Sequence, residues 1–209
     1  MRTADWYFDF ISPYSHLALY QLQDLPGALD IRYRPVLFAG LLSHWDNKGP
    51  AEIAPKRRWT YRWCTWHAQR AGIPFRMPTA HPFNPLPYLR LCLAAGSSAT
   101  VVKTIFDALW TTGADPADPR ILEELMETLG VPESRLLAPE VKQALRGGTE
   151  QAARNGIFGV PSLQLGENVF WGTDGLEFAR AYLDDPTIID NAEMRRIDGL
   201  PIAASRRPG

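Results

Sequence analysis

The spacing of apolar positions changes several times along the chain. From Trp6 to Ile11, aromatic and β-branched residues crowd between turn formers, which predicts a strand. From Pro13 to Gln23 the period lengthens. Tyr14, Leu17, Ala18 and Leu22 share one face, which predicts a helix, and Pro26-Gly27 stops it. Leu29 to Val36 then alternates as a second strand, so the chain opens as a βαβ unit.

From about Phe38 to Ala153 the pattern is helical almost throughout. Pro55 opens a helix running to Arg70, with Gly72-Ile73-Pro74 ending it. Asn84-Pro85 reads as an N-cap with proline at the first helical position. A further helix covers Thr100 to Thr111. Asp118-Pro119 caps the next, whose Leu122, Leu125, Met126 and Leu129 form one apolar stripe before Gly130. Pro139 to Asn155 is the last of the run. Strand texture returns in "PSLQLG" and "NVFWG", a hairpin around Gly166-Glu167. Leu176 to Leu183 follows as an amphipathic helix, and the Pro-, Arg- and Gly-rich tail reads as a surface extension.

This order, β-α-β, a helical block, then α-β-β-α, is an α/β class: a thioredoxin-like fold with an inserted all-helical domain. The expected division is 1–40 with 140–209 for the discontinuous thioredoxin-like part and 41–139 for the insertion.

Composition narrows the function more than the fold. With 22 basic against 23 acidic residues, the chain has no charge bias toward nucleic acid or a membrane surface. No stretch approaches the roughly 18 apolar residues of a membrane span, and the first residues lack the apolar core of a signal peptide. Cys64 and Cys92 are far apart, sit in helical patterns, and read as buried free thiols. A reducing, cytoplasmic location is therefore expected. The four histidines show no metal-ligand spacing.

Four stretches carry candidate chemistry. Ser12-Pro13-Tyr14-Ser15 stands where a thioredoxin-like chain would have Cys-x-x-Cys. Ser12 is either a plain N-cap or a hydrogen-bond donor beside the helix start, where free N–H groups attract anions. Val160-Pro161 is either a loop proline or a turn facing that helix start, able to pair with an extended ligand. Thr173 or Asp174 is either an N-cap or a second ligand anchor. "DNKGPAEIAPKRR", residues 46–58, is either a solvated charged face or a loop over an anionic substrate. His16 is either packed or at a substrate's edge. Trp59, Trp63 and Trp66 sit at helical spacing, as core or interface residues do.

Six stretches in order, "FDFISPYSHLA", "RPVLFAGLL", "NKGPAEIAPKRR", "FNPLPYLRL", "GIFGVPS" and "FWGTDGLEF", resemble the 2-hydroxychromene-2-carboxylate isomerases. These are relatives of kappa-class glutathione transferases and of periplasmic disulfide oxidoreductases. The resemblance runs to about residue 185. It implies a thioredoxin domain with a helical insertion, a homodimer, and glutathione as cofactor. By position, Ser12 matches the serine at the glutathione sulfur. Asn47 and Lys56 match polar residues lining the site, Val160 the residue that pairs with the tripeptide backbone, and Thr173 and Asp174 the γ-glutamyl anchors. Lys48, His16 and Asn84 are the candidate substrate contacts. Two positions depart from the pattern: His16 replaces an aromatic Trp or Tyr, and Gly175 replaces an Arg.

The implied reaction is glutathione-dependent cis–trans isomerisation of an aromatic carboxylate of the 2-hydroxychromene-2-carboxylate or benzylidenepyruvate type. Serine rather than cysteine at position 12 fits that role. A cysteine traps glutathione as a mixed disulfide, whereas a hydroxyl only stabilises its thiolate. The alternatives are a kappa-like transferase or peroxidase, and a redox-inactive binding module.

Overall fold

The computed structural model describes residues 2–204; Met1 and the last five residues of the expected tail lie outside it. Four strands, β1 (Arg2–Phe8), β2 (Leu29–Pro35), β3 (Ser162–Leu165) and β4 (Asn168–Trp171), form one mixed sheet in the order β2-β1-β3-β4. β1 and β2 run parallel, and β3 and β4 are antiparallel to their neighbours. The predicted hairpin is β3–β4, turning at Gly166, whose φ of 62° lies in the left-handed region that glycine adopts freely.

The parallel pair is linked by α1 (Pro13–Gln21). Then follow α2 (Phe38–His44), α3 (Ala54–Ala71), α4 (Leu86–Ala94), α5 (Ala99–Trp110), α6 (Pro119–Leu129), the single turn α7 (Glu133–Leu136) and α8 (Pro139–Arg154). α9 (Gly172–Asp184) follows β4. The tail is more structured than its composition suggests. It forms a 3-10 turn, Pro186–Ile189, and α10 (Ala192–Asp198), which Asn191 caps through the Met194 amide.

Alternation along β1 decides what each sheet face meets. Trp6 and Phe8 stack at 4.6 Å, and Phe10 continues the row against Phe106 of α5 at 4.7 Å. This face packs on Ile105, Leu109 and Trp110, so the inserted helices and the sheet share one apolar cluster. Tyr7 points the other way, toward Val36, Leu41 and Ala152. The tie between insertion and sheet is also polar: the Trp110 indole donates to the Phe10 carbonyl at 2.9 Å.

β1 ends at Phe8, three residues before the predicted limit. Asp9 turns the chain out of the ladder because its carboxylate accepts the Ile11 amide (3.1 Å) and the Phe38 amide (2.8 Å). The turn delivers Ser12 to the start of α1, at the carboxyl edge of the parallel pair, where α/β folds place their ligands.

Candidate active site

Ser12 is the N-cap of α1, as the Ser-Pro pair predicts. Its Oγ accepts the Ser15 amide at 3.1 Å, and its own amide donates to the Asp9 carbonyl at 3.0 Å. The hydroxyl oxygen is thus engaged as an acceptor while its proton remains available to a ligand. The Tyr14 N–H stands in the first turn, with no helical carbonyl four residues back; the Phe10 carbonyl at that position receives the Trp110 indole instead. Ser12 lies in the wall of a cleft of about 500 Å³ between the β1–α1 turn, the α2–α3 segment and the "GIFGVPS" turn.

Val160, in that turn, forms the opposite wall, and the Val160–Pro161 bond is cis. Among the described residues, neither the N–H nor the C=O of Val160 has a hydrogen-bond partner within the chain. Trp171 closes this side, stacked edge-on against Phe158 at 5.2 Å. Gly159 makes that packing possible: a Cβ there would sit 2.6 Å from the Trp171 indole nitrogen. Gly172 is equally constrained, with a φ of 86° and the Asp174 carboxylate against the position a side chain would take.

Cations dominate the rim. Asn47, Lys48, Lys56 and Arg57 line the cleft, and among the described residues none of the three cations makes an ion pair. Glu52, the one exposed acid there, is turned back to accept the Gly49 amide at 2.6 Å.

Two groups at the cleft escape sequence reasoning. Asp9 is fully buried at its floor. Burial pushes its carboxyl up to about 7, and the backbone N–H groups of Phe38, Ile11 and Phe10 offset only part of that. His81, next to a second cis bond at His81–Pro82, places Nε2 2.8 Å from the Ile11 carbonyl and Nδ1 2.7 Å from the Tyr61 hydroxyl. Burial lowers its pKa, so the ring is neutral. Because a carbonyl only accepts, Nε2 carries the proton and Nδ1 is the acceptor. The same Tyr61 oxygen lies 2.8 Å from the His81 carbonyl.

The remaining candidates divide. Ser12, Asn47, Lys48, Lys56 and Val160 come together in the cleft. Thr173 and Asp174 occupy the first turn of α9, directly after cleft-lining Trp171; the N-cap is Trp171, so neither is the cap. Thr173 is buried and Asp174 exposed. Asn84 is not part of the cleft wall: its side chain accepts the Leu86 amide at 3.1 Å from one residue outside the helix, since the N-cap of α4 is Pro85 rather than Asn84 as the sequence suggests. His16 is a correction. It is wholly buried, hydrogen-bonded through Nε2 to the Pro74 carbonyl at 2.8 Å, and packed among Tyr20, Phe75, Phe106 and Trp110. Its aromatic environment holds it in the core, outside the wall of the cleft. Cys64 and Cys92 are buried, free, and pushed by burial up to about 12, so neither is a thiolate at neutral pH.

The family model of the DSBA-like thioredoxin domain matches residues 3–184. The 2-hydroxychromene-2-carboxylate isomerase of Sphingobium xenophagum is 30% identical over 193 residues, covering 88% of this chain and 99% of that protein. Glutathione S-transferase kappa 2 of Caenorhabditis elegans is 25% identical over 209 residues, covering 88% and 93%. A solved 2-hydroxychromene-2-carboxylate isomerase superposes with a TM-score of 0.79 at 26% identity, covering 92% of this chain and 98% of that one.

Proposed function

This chain belongs to the DSBA-like thioredoxin family, in its 2-hydroxychromene-2-carboxylate isomerase branch, and we propose from that premise that it is a glutathione-dependent cis–trans isomerase of aromatic carboxylates. The observation that carries the reading is the Ser12 hydroxyl. It sits at a helix start, already satisfied as an acceptor by Ser15, with its proton free to face an anion.

Bound glutathione would supply a thiolate able to add reversibly to a conjugated double bond. The residues present fit such a tripeptide. Ser12 and the free amide at the start of α1 favour an ionised sulfur. The unpaired N–H and C=O of Val160 match an extended peptide backbone. Asp174 and the N–H groups of the first α9 turn suit an ammonium and a carboxylate. Lys48, Lys56 and Arg57 hold the substrate carboxylate and the negative charge that develops next to it, while Phe158 and Trp171 offer an apolar wall to its ring.

The test is incubation with reduced glutathione and a cis-benzylidenepyruvate. Trans product accumulating with the glutathione concentration unchanged supports the isomerase. Consumption of one glutathione per product makes the chain a kappa-like transferase, the reading favoured by its identity to the nematode enzyme. No change in substrate refutes both. We read the compartment as cytoplasmic, since a site for reduced glutathione and two buried free thiols suit reducing conditions, and the assembly as a homodimer. Among the described residues no helix is long and apolar enough to cross a membrane.

A further inference from the structure

α2 stands between two cavities. Phe38, Ala39 and Leu42 line the cleft described above, whereas Gly40, Ser43 and His44 line a second cavity of about 400 Å³, and Leu37 borders both. The division follows the helical period: residues three and four apart share a side, so one short helix serves two walls. The remaining walls of the second cavity come from α4 and α8. Its frame is close-packed. The Leu37 amide donates to Thr149 Oγ1 of α8 at 2.9 Å, and a Cβ at Gly40 would come within 2.9 Å of the Thr149 methyl carbon.

This cavity joins apolar surface to unpaired positive charge. Leu86, Leu145 and Ala153 supply the first, and Arg90, Lys142 and Arg146 the second. Among the described residues its one acid is Glu150, which is already engaged by Arg146 at 2.9 Å. Arg90 and Lys142 make no ion pair among the described residues. Arg90 is half-buried, and its Nε is shut off from water with no hydrogen-bond partner among them. A cation withdrawn from water without a counter-ion carries a desolvation cost that an anion beside it offsets. The planar guanidinium suits a carboxylate or a phosphate, because its fork can pair two oxygens at once.

We propose that this cavity is a second ligand site, for a small organic anion whose carboxylate or phosphate head lies between Arg90 and Lys142 and whose apolar body covers Leu86 and Leu145. Ser43 and His44 add a hydroxyl and a ring nitrogen from α2. The volume is at the small end of ligand cavities, which limits the body to about one ring. A bare inorganic anion leaves the leucines uncovered, and an uncharged ring leaves Arg90 without a counter-ion, so the two features together define the ligand. α2 carries the consequence to the cleft. The Asn47 amide donates to the Leu42 carbonyl at 2.9 Å, so the polar rim at Asn47 and Lys48 is tied to the helix that the second ligand touches. The site shares only Leu37 with the cleft, and the proposal does not rest on the glutathione reading.

The probes are benzoate and phenyl phosphate, titrated into the isotope-labelled full chain and followed by amide chemical shifts. Benzyl alcohol and inorganic phosphate, at the same concentrations, supply the ring and the charge separately. Saturable shifts at Ser43, His44, Arg90 and Lys142 are expected with both probes and with neither control. Lys142→Glu changes an exposed side chain, so the fold is expected to persist while this binding weakens on the order of tenfold. Benzoate also resembles the substrate proposed for the cleft. A second set of shifts, at Tyr14 and Val160, is therefore expected to weaken in Lys48→Glu, which leaves the set on α2, α4 and α8 in place. Shifts confined to the cleft, or equal affinity in wild type and Lys142→Glu, overturn the second site. Shifts as large with benzyl alcohol overturn the role of the charge, and shifts as large with inorganic phosphate overturn the organic class of the ligand.

Discussion

The Nε2 of His81 lies 2.8 Å from the carbonyl oxygen of Ile11, so a ring from the segment between α3 and α4 holds the residue that precedes Ser12. Tyr61 of α3 holds the same ring from the other nitrogen at 2.7 Å. The helical insertion thereby sets the position of the strand-to-helix turn.

Replacing His81→Phe keeps a ring of similar size but removes both hydrogen bonds. The Ile11 carbonyl then loses its partner, while the Tyr61 hydroxyl keeps the backbone carbonyl of residue 81; the unpaired carbonyl is expected to cost about 1–3 kcal/mol of stability. Turnover is expected to fall roughly tenfold or more, because small displacements at the reacting centre are amplified in rate. Urea unfolding and steady-state kinetics read the two effects. A variant that is destabilised yet keeps full turnover would show that the Ser12 turn is held without His81.

Ser12→Ala removes the free proton donor and the cap together. Loss of one donor to a transition-state anion predicts turnover lower by roughly 10²-fold, about 2.7 kcal/mol. Loss of the cap to the Ser15 amide predicts about 1 kcal/mol less stability. Turnover measured at saturating glutathione separates the donor's role from simple binding. An unchanged rate there removes Ser12 from the chemistry.

Local order was legible in the sequence where one residue dictates it. Ser12-Pro13 sets the start of α1, Asp118-Pro119 the start of α6, Gly72 and Gly130 the ends of α3 and α6. What was not legible depends on partners far along the chain. His16, by its place after the Ser12 motif, was open between a packed residue and one at a substrate's edge. The rings that enclose it come from the segment at Phe75 and from α5, roughly 60 and 90 positions away. The tryptophan spacing in α3 announced a helix face but not which one. Thr60, Cys64 and Ala68 take the inward place because their smaller side chains let α3 approach α1. Asp9 passed for a strand residue, since only folding brings the Phe38 amide to its carboxylate.

That carboxylate predicts a pH dependence of stability. Its folded pKa is raised from 3.8 to about 7, so between those values the folded state binds more protons than the unfolded one. Stability from this group therefore falls as pH rises through the window and is level above it. His16 and His81 act with the opposite sign: their folded pKa values are lowered, so stability rises as pH rises toward their ordinary value and is level above it. The Asp9 contribution is isolated by comparing wild type with Asp9→Asn. The difference in unfolding free energy between the two is expected to change with pH from 5 to 8, the wild type losing ground as Asp9 ionises. A pH-independent difference would mean that Asp9 does not titrate in this range.

Ser12→Cys tests whether position 12 faces the glutathione sulfur. The introduced thiol sits at the start of α1, where free amides and the helix dipole depress its pKa and hold it largely as thiolate. Ser15, at the other end of the motif, offers no resolving thiol. The thiolate is expected to attack oxidised glutathione, forming a protein–glutathione disulfide and releasing one glutathione thiolate, with no internal group to undo it. Isomerase activity should then fall under oxidising conditions and return in part with a strong reductant. Cys64 and Cys92 give little background, since both are buried and their thiols are pushed up to about 12. Intact-protein mass after exposure to oxidised glutathione is expected to show one added glutathione on the variant and none on the wild type. If the variant takes up none, position 12 does not meet the tripeptide's sulfur, and the assignment of Ser12 as the residue that stabilises its thiolate fails with it.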